Sequence, residues 1–185
     1  YACSVWDLKS AKDILHIDPF FIKIPSACNM NYQLIDYCIN NFNGHVHISL
    51  GMLSGEERHN VINRYKSEKV IFYHTTTEYP CPFERLYLRE ISNIMKECGV
   101  AGFSNHGYGI AADIAALTLG VSFIERHFID DRTFRHTDAA ASLEPQGLKI
   151  LKRDILNVEQ ALAFRSNFAT EEENKQAEKL RNSSK

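Results

Sequence analysis

The chain has 185 residues, of which 44% are hydrophobic and 24% are charged, so it can form one domain with a sizeable core. The formal net charge of −2 is not that of a protein that binds nucleic acid or an anionic membrane surface. No apolar run is long enough to cross a bilayer. We therefore expect neither a nucleic-acid nor a membrane partner.

The five cysteines form an odd set without the spacing of metal ligands. Cys3, Cys28 and Cys38 lie in apolar segments and are predicted to be buried as small hydrophobic residues, whereas Cys81, between two prolines, is predicted to be exposed. We predict no disulfide and a cytoplasmic location. No signal peptide is visible, and the absence of an initial Met suggests a fragment or a processed chain.

Short apolar runs that resemble strands start near positions 2, 20, 45, 70, 101 and 122, and a helical pattern follows each of them. Such alternation predicts an α/β fold with a parallel sheet. A unit of about 25 residues matches the period of a (β/α)8 TIM barrel, of which about two units would be missing. A doubly wound open sheet is the alternative, but no glycine-rich phosphate fingerprint follows the first strand.

The chain ends in two segments of different character. After Pro145 an amphipathic helix carries Leu148, Leu151, Ile155, Val158 and Leu162. From Arg165 the sequence is highly charged and has no apolar stripe, which indicates a frayed helix or a disordered tail. We predict a partial barrel domain over residues 1–164 and a charged tail over residues 165–185.

Two consecutive strand-like runs, which start near positions 101 and 122, each end in a polar cluster. The first cluster is Ser104-Asn105-His106 and the second is Glu125-Arg126-His127; a predicted helix that Gly120 ends lies between the strands. The carboxyl ends of neighbouring parallel strands lie side by side, where α/β enzymes place their chemistry. A lone histidine at a strand end is usually structural, but two at matching places predict a shared metal or substrate site.

The other predicted strand ends carry Lys23 and several hydroxyl residues, namely Ser26, Ser49 and Thr75 to Thr77. A lysine among hydroxyls suits a phosphate or a phosphorylated acid. Alternatively, Ser and Thr cap the helices that follow, although capping does not account for Lys23. Alternation along the strand places Arg126 opposite Glu125 and predicts an outer salt bridge for it. Asp138 is a candidate for the pocket rim, and His45 and His47 are predicted to be structural.

Seven short motifs occur in a characteristic order over residues 2–164. They are KIPS at 23–26, SLGM at 49–52, TTTEYP at 75–80, GFSNH at 102–106, ERHF at 125–128, DRTF at 131–134 and ASLEP at 141–145. In this ordered series the chain resembles the sialic acid synthases, which make N-acetylneuraminic, pseudaminic and legionaminic acids.

The resemblance implies a (β/α)8 barrel that condenses phosphoenolpyruvate with an N-acetylated amino sugar resembling N-acetylmannosamine, releasing phosphate and a nonulosonic acid with the help of Mn²⁺ or Mg²⁺. It implies that His106 and His127 bind the metal and that Glu125 and His127 are the catalytic residues. Phosphoenolpyruvate would contact Lys23, Ser26, Ser49, Thr77 and Ser104. The sugar would contact Tyr79, Glu125 and Asp138.

The chain also departs from that family. Ala139 follows Asp138 where members usually have histidine. The first two barrel strands and a C-terminal antifreeze-like domain are absent, so we expect the 185 residues alone to be inactive and prone to association. The full-length family implies a homodimer. The alternatives are another phosphoenolpyruvate-dependent keto sugar acid synthase and a degenerate barrel that binds a sugar without turnover.

Overall fold

A computed structural model describes residues 1–134, 137–166 and 168–181. Its sheet has six parallel strands in chain order: β1 (Cys3–Ser4), β2 (Phe21–Ile24), β3 (His45–Ser49), β4 (Val70–Thr75), β5 (Ala101–Asn105) and β6 (Phe123–Arg126). The predicted strands and their parallel arrangement are confirmed.

A helix follows each strand. The helices are α1 (Leu8–Leu15), α2 (Tyr32–Asn41), α3 (Gly55–Tyr65), α4 (Glu90–Cys98), α5 (Ala111–Thr118) and α6 (Pro145–Ala161), and a last helix is α7 (Glu171–Leu180). Asp7, Asn31 and Ser54 cap the first three helices by accepting a backbone N–H from the first turn. These caps fix where each helix leaves the carboxyl end of its strand.

The sheet is strongly curled. Neighbouring strands lie about 4.8 Å apart, so β2 and β6 would be separated by roughly 19 Å in a flat sheet. Yet the rings of Phe21 on β2 and Phe123 on β6 have centroids only 6.4 Å apart. The six strands therefore form a curled α/β half-barrel, which is consistent with an incomplete TIM barrel.

Strand residues alternate between the two faces of this sheet. The outer face packs against the helices and is apolar and fully buried; it includes Ile22, Ile24, Val46, Ile48, Phe72 and Phe103. The inner face carries Lys23, Ser49, Ser104 and Glu125, which are polar. Because the outer face alone provides a continuous hydrophobic core, the inner face is available for a site.

The prediction that Cys81 is exposed was wrong. Cys81 is 1% exposed, because its backbone N–H donates to the carbonyl of His106 at 2.9 Å and holds the segment against the sheet. Cys28 and Cys38 are buried as predicted, while Cys3 is half-buried. The backbone pairing of Cys81 brings the TTTEYP loop next to His106.

The predicted tail contains a helix, which agrees with the helical one of the two alternatives. Helix α7 starts with a capping box between Thr170 and Glu173 and has no buried residue. Residues 167 and 182–185 of the tail lie outside the described residues. The domain boundary at 164 stays a prediction.

Within the described residues, no helix is long and apolar enough to cross a membrane. The cytoplasmic location and the homodimer stay predictions.

His47 lies in an aromatic layer on the inner face of the sheet. Its ring stacks on Phe21 with centroids 3.9 Å apart, and its Nδ1 lies 2.9 Å from the hydroxyl of Tyr73. Burial, together with the charge of Lys23, lowers the pKa of His47 to about 4. The side chain is therefore neutral in the folded protein at pH values where an unfolded histidine is charged.

Acid should therefore destabilise the fold through His47. An unfolded histidine binds its proton near pH 6.5, whereas folded His47 binds one only near pH 4, so the free energy of unfolding falls as the pH drops through this window. The loss attributable to His47 should be on the order of 3 kcal/mol. Urea unfolding at pH 7 and pH 4 should show this loss in the parent and not in His47→Gln. The control is His16→Gln, at an exposed position. Equal pH dependence of the parent and His47→Gln would contradict the prediction.

Candidate functional site

A polar pocket of about 490 Å³ opens at the carboxyl ends of the strands. Every predicted site residue except Asp138 lines it: Lys23, Ser26, Ser49, Thr77, Tyr79, Ser104, His106, Glu125 and His127. Ser4, Trp6 and Met52 also line the pocket and were not predicted. The structure thus brings together predicted site residues that lie up to 104 positions apart in the sequence, from Lys23 to His127.

The register of the sheet explains this convergence. Thr75 of β4 is level with Ser104 of β5, and Ser104 is level with Glu125 of β6. Parallel strands in this register present their last inward residues at one height, and curling turns them toward a common centre. The pocket is therefore a direct consequence of the alternation of strand residues and of the curl.

An ion pair between buried Lys23 and half-buried Glu125 lies in the pocket. The Lys23 Nζ lies 2.6 Å from Glu125 Oε2, and the lysine side chain is only 6% exposed. Burial lowers the pKa of Lys23, while Glu125 opposes that shift. Burial by itself would raise the pKa of Glu125, but the charge and hydrogen bond of Lys23, with a hydrogen bond from Ser104, bring it below its usual range. Glu125 is therefore ionised beside a cationic lysine.

The ring of Tyr73 contacts the ammonium group of Lys23. Tyr73 was not predicted as a site residue. The Lys23 Nζ lies 4.6 Å from the centroid of the Tyr73 ring, within the range of a cation–π contact. Gly102 on the next strand makes room for the ring, since a Cβ there would lie 2.6 Å from three of its carbons. Strand alternation could have identified Tyr73, because it lies two residues before the inward-facing Thr75.

His106 is held in a defined tautomer. Its Nδ1 lies 2.8 Å from the carbonyl oxygen of Thr76, and a carbonyl only accepts, so Nδ1 carries the proton. Nε2 then keeps its lone pair. Burial lowers the pKa of His106, and the nearby His127 adds to that effect. A neutral imidazole fixed by a backbone carbonyl is the usual state of a metal-binding histidine.

His127 and Asp138 complete this side of the pocket. The rings of His106 and His127 have centroids 5.2 Å apart, and Tyr79 packs against both rings. The Nδ1 of His127 lies 3.7 Å from Asp138 Oδ2. Although Asp138 does not line the pocket, its carboxylate therefore lies next to a side chain that does.

Hydroxyl groups converge on the opposite side, above Gly51. A Cβ on Gly51 would lie 2.6 Å from Ser26 Oγ and would overlap Thr77 Oγ1, so glycine leaves this space to the two hydroxyls. Within the described part of the chain, the buried Thr77 hydroxyl has no hydrogen-bond partner. Asn29 fixes the loop by donating to the carbonyls of Ser49 and Gly51 at 3.0 and 2.8 Å. An oxygen-rich ligand would satisfy the Thr77 hydroxyl.

A second polar cluster consists of Asn105, Asp113 and Arg126 and is called the Arg126 cluster below. Arg126 also lines the polar pocket, whereas Asn105 and Asp113 do not. Arg126 pairs with Asp113 of α5 at 3.7 Å, as its predicted salt bridge required, but both side chains are at most 4% exposed. Asp113 was not predicted. A single carboxylate in the alanine-rich stretch of α5 was the available signal, because an apolar helix seldom carries an unpaired buried charge.

The imidazoles of His106 and His127 and the carboxylates of Glu125 and Asp138 are the candidate metal donors at this site. No group of three or more His, Cys, Asp or Glu side chains is arranged around a common ion position within residues 1–134, 137–166 and 168–181. The nitrogen atoms of His106 and His127 nevertheless suit a first-row divalent ion that takes its remaining ligands from water or substrate. The neutral tautomer of His106 fits this role.

An apolar cavity of about 530 Å³ adjoins the polar pocket and shares Lys23, Glu125 and Arg126 with it. The cavity is lined mainly by Phe21, Phe123 and Phe128 and by Leu148, Leu151, Ile155 and Leu156 of α6. It contains none of the histidines or hydroxyl side chains that line the polar pocket. We therefore place the candidate site in the polar pocket.

Comparison with known proteins decides the family. The model of the NeuB family matches residues 1–167. The chain belongs to this family. The N,N'-diacetyllegionaminic acid synthase of Campylobacter jejuni is 32% identical over 184 residues, which cover 96% of this chain and 55% of that protein. The human N-acetylneuraminate-9-phosphate synthase is 35% identical over 148 residues, which cover 78% of this chain and 41% of that protein. The resemblance to sialic acid synthases is confirmed.

A solved structure of the N-acetylneuraminic acid synthetase from Leptospira borgpetersenii shares the fold. It aligns with a TM-score of 0.82 and 23% identity over 95% of this chain and 62% of that one. The chain thus spans about half the length of the curated relatives it matches. This NeuB family chain contains the strand ends that form the polar pocket.

Proposed function

We propose that this NeuB family chain forms part of an enzyme that condenses phosphoenolpyruvate with an open-chain N-acetylated amino sugar. The products would be a nonulosonic acid and inorganic phosphate. One observation carries the proposal: the ion pair of buried Lys23 with half-buried Glu125 and the two imidazoles of His106 and His127 open into the same pocket. The named relatives are synthases of such acids.

Phosphoenolpyruvate suits one half of the pocket. The ammonium group of Lys23 would bind its carboxylate or phosphate, since a desolvated cation interacts strongly with an anion. The hydroxyl groups of Ser26 and Thr77 would donate to phosphate oxygens, and the Thr77 hydroxyl, which lacks a partner within the described residues, would gain one. Ser49 and Ser104 line the same half.

The sugar suits the other half. Tyr79 and Asp138 lie beside the two imidazoles, where they could contact its hydroxyl and N-acetyl groups. His106 and His127 would hold a divalent cation, Mn²⁺ or Mg²⁺. A bound cation would polarise the aldehyde oxygen of the sugar as a Lewis acid.

In the proposed reaction, C3 of phosphoenolpyruvate attacks the aldehyde carbon and a carbon–carbon bond forms. The aldehyde oxygen takes a proton, and C2 of phosphoenolpyruvate becomes cationic. Water adds to C2 and loses one proton, which leaves a hydroxyl group and the phosphate ester on the same carbon. The bond between C2 and the phosphate oxygen then breaks while the C2 hydroxyl gives its proton to the departing phosphate, leaving a ketone and hydrogen phosphate. Glu125 is ionised and would orient this water or accept its proton.

The test is turnover. Phosphate release and loss of phosphoenolpyruvate would be measured with N-acetylmannosamine and Mn²⁺, using the 185-residue chain and the longest form that its source encodes. We expect phosphate release that depends on the sugar in the longest form. Consumption of neither substrate by either form would overturn the proposal. Binding of the sugar without turnover would favour the degenerate barrel instead.

A further inference from the structure

The Arg126 cluster connects the two loops that carry the candidate metal and sugar residues. The Arg126 guanidinium donates through Nη2 to the carbonyl of Gly107 at 3.0 Å and to that of Ala141 at 3.1 Å. Gly107 directly follows His106, and Ala141 lies three residues after Asp138. One side chain on β6 thus joins the loop after β5 to the loop after β6.

Arg126 also lies between two pocket residues on its own strand. Its neighbours Glu125 and His127 line the polar pocket, while its own guanidinium reaches toward α5. The strand alternates, so any shift of Arg126 along or across β6 would displace both neighbours. The position of His127 is therefore coupled to the position of the guanidinium.

The remaining members of the cluster hold the guanidinium and the first loop in place. Asn105 donates through Nδ2 to Asp113 Oδ1 at 2.9 Å and accepts the backbone N–H of Gly107 at 2.8 Å. The side chain of Ser142 donates to the carbonyl of Asp138 at 2.8 Å, which extends the connection to the second loop. Both loops are thus hydrogen-bonded to one buried set of side chains.

The polar contacts of the Arg126 cluster are too incomplete for stabilisation of the fold to account for it. Within the described residues, Asp113 Oδ2 and the Nε and Nη1 atoms of Arg126 have no hydrogen-bond partner, and the two charges approach only to 3.7 Å. Asp113 is fully buried. Burying two charges costs free energy. An ion pair with a separation of 3.7 Å and with unsatisfied hydrogen-bonding atoms offsets little of that cost. Two apolar side chains of similar volume would pack here without that cost.

We propose that Arg126, held by Asp113 and Asn105, is a positioning residue that sets the spacing of His106, His127 and Asp138. The assignment of these three residues to metal and sugar binding rests on the proposed function. Lysine would not reproduce these contacts, because its one ammonium nitrogen would have to serve both loop carbonyls and Asp113, which Arg126 contacts through two nitrogens, Nη2 and Nη1. The two pocket histidines and the neighbouring Asp138 are thereby held in place by one side chain of β6.

The test compares Arg126→Lys with Arg153→Lys, which alters a surface ion pair with Asp154. Imidazole nitrogen and carbon resonances of His106 and His127 would be recorded without metal, and Mn²⁺ affinity would be measured by calorimetry. We expect both sets of imidazole resonances to move in Arg126→Lys and not in the control. Loss of a supporting contact of this kind typically weakens metal binding about 10- to 100-fold.

Asp113→Asn provides a second variant that keeps the shape of the cluster. Unmoved imidazole resonances in both folded variants would overturn the proposal, and so would unfolding of both variants, which would assign the cluster to stability. If the parent binds no Mn²⁺ while the resonances move in Arg126→Lys, the positioning role stands and the proposed metal site fails. The imidazole resonances and the Mn²⁺ affinity together thus distinguish failure of the positioning role from failure of the proposed metal site.

Discussion

Replacing His106 and His127 together by alanine should abolish Mn²⁺ binding by this chain. The two imidazoles lie 5.2 Å apart, and the Nδ1–H of His106 donates to Thr76, which leaves Nε2 available as a ligand. Among the described residues no group of three or more acidic, histidine or cysteine ligands is arranged around an ion position, at this site or elsewhere, so water or substrate would have to complete the coordination. Calorimetric titration with Mn²⁺ at pH 7.5 would give a heat of binding in the parent and none in the double variant.

The matched control for this experiment is His16→Ala with His59→Ala. Both of these histidines are exposed, and neither lines the polar pocket. The control pair should bind Mn²⁺ as the parent does. Equal affinity in the parent and the variant lacking His106 and His127 would remove both residues from the metal site. Because burial lowers the pKa of His106, its lone pair should stay available below pH 6.5.

Lys23→Met should weaken binding of phosphoenolpyruvate by about 2 kcal/mol or more, the expected cost of removing a charge-assisted contact. This corresponds to about thirty-fold in the dissociation constant. The effect has a second component, since Lys23 is the group that offsets the burial of Glu125. Without the ammonium group, the pKa of Glu125 should rise and its carboxylate should become harder to ionise.

Calorimetry with phosphoenolpyruvate would measure this loss, and repeating it from pH 5 to 8 would reveal the change in Glu125. Lys152→Met is the control, because Lys152 is an exposed lysine that lines the neighbouring apolar cavity. The control should bind phosphoenolpyruvate as the parent does. If Lys23→Met also binds with parental affinity, Lys23 serves the fold and not the ligand.

The strands and the membership of the polar pocket could be read from the sequence because both depend on local periodicity. Short apolar runs alternating with helical patterns fix a parallel sheet, and a parallel sheet places every strand end at the same edge. That is why Lys23, Ser104 and His106, each recognised at the end of a predicted strand, line one pocket. The short motifs identified the family, because their order along the chain can be read without knowing any contact between residues.

Other features depended on contacts between distant segments. In α5 the buried positions are Ala112, Asp113 and Ala116, and the burial of a carboxylate between two alanines was not predicted. The reason is that Arg126, 13 residues later, draws the carboxylate of Asp113 into the interface. Cys81 was assigned to an exposed loop because prolines flank it, but its backbone pairs with the segment after β5.

The sequence by itself determined the order of strands and the side chains available at their ends, because alternation and apolar content are local properties of the chain. The tertiary structure decided which of those side chains meet. Lys23 and Glu125 are separated by 102 residues and form a 2.6 Å ion pair only because the sheet curls. The curl arises from the packing of the whole sheet against its helices, and no single segment encodes it.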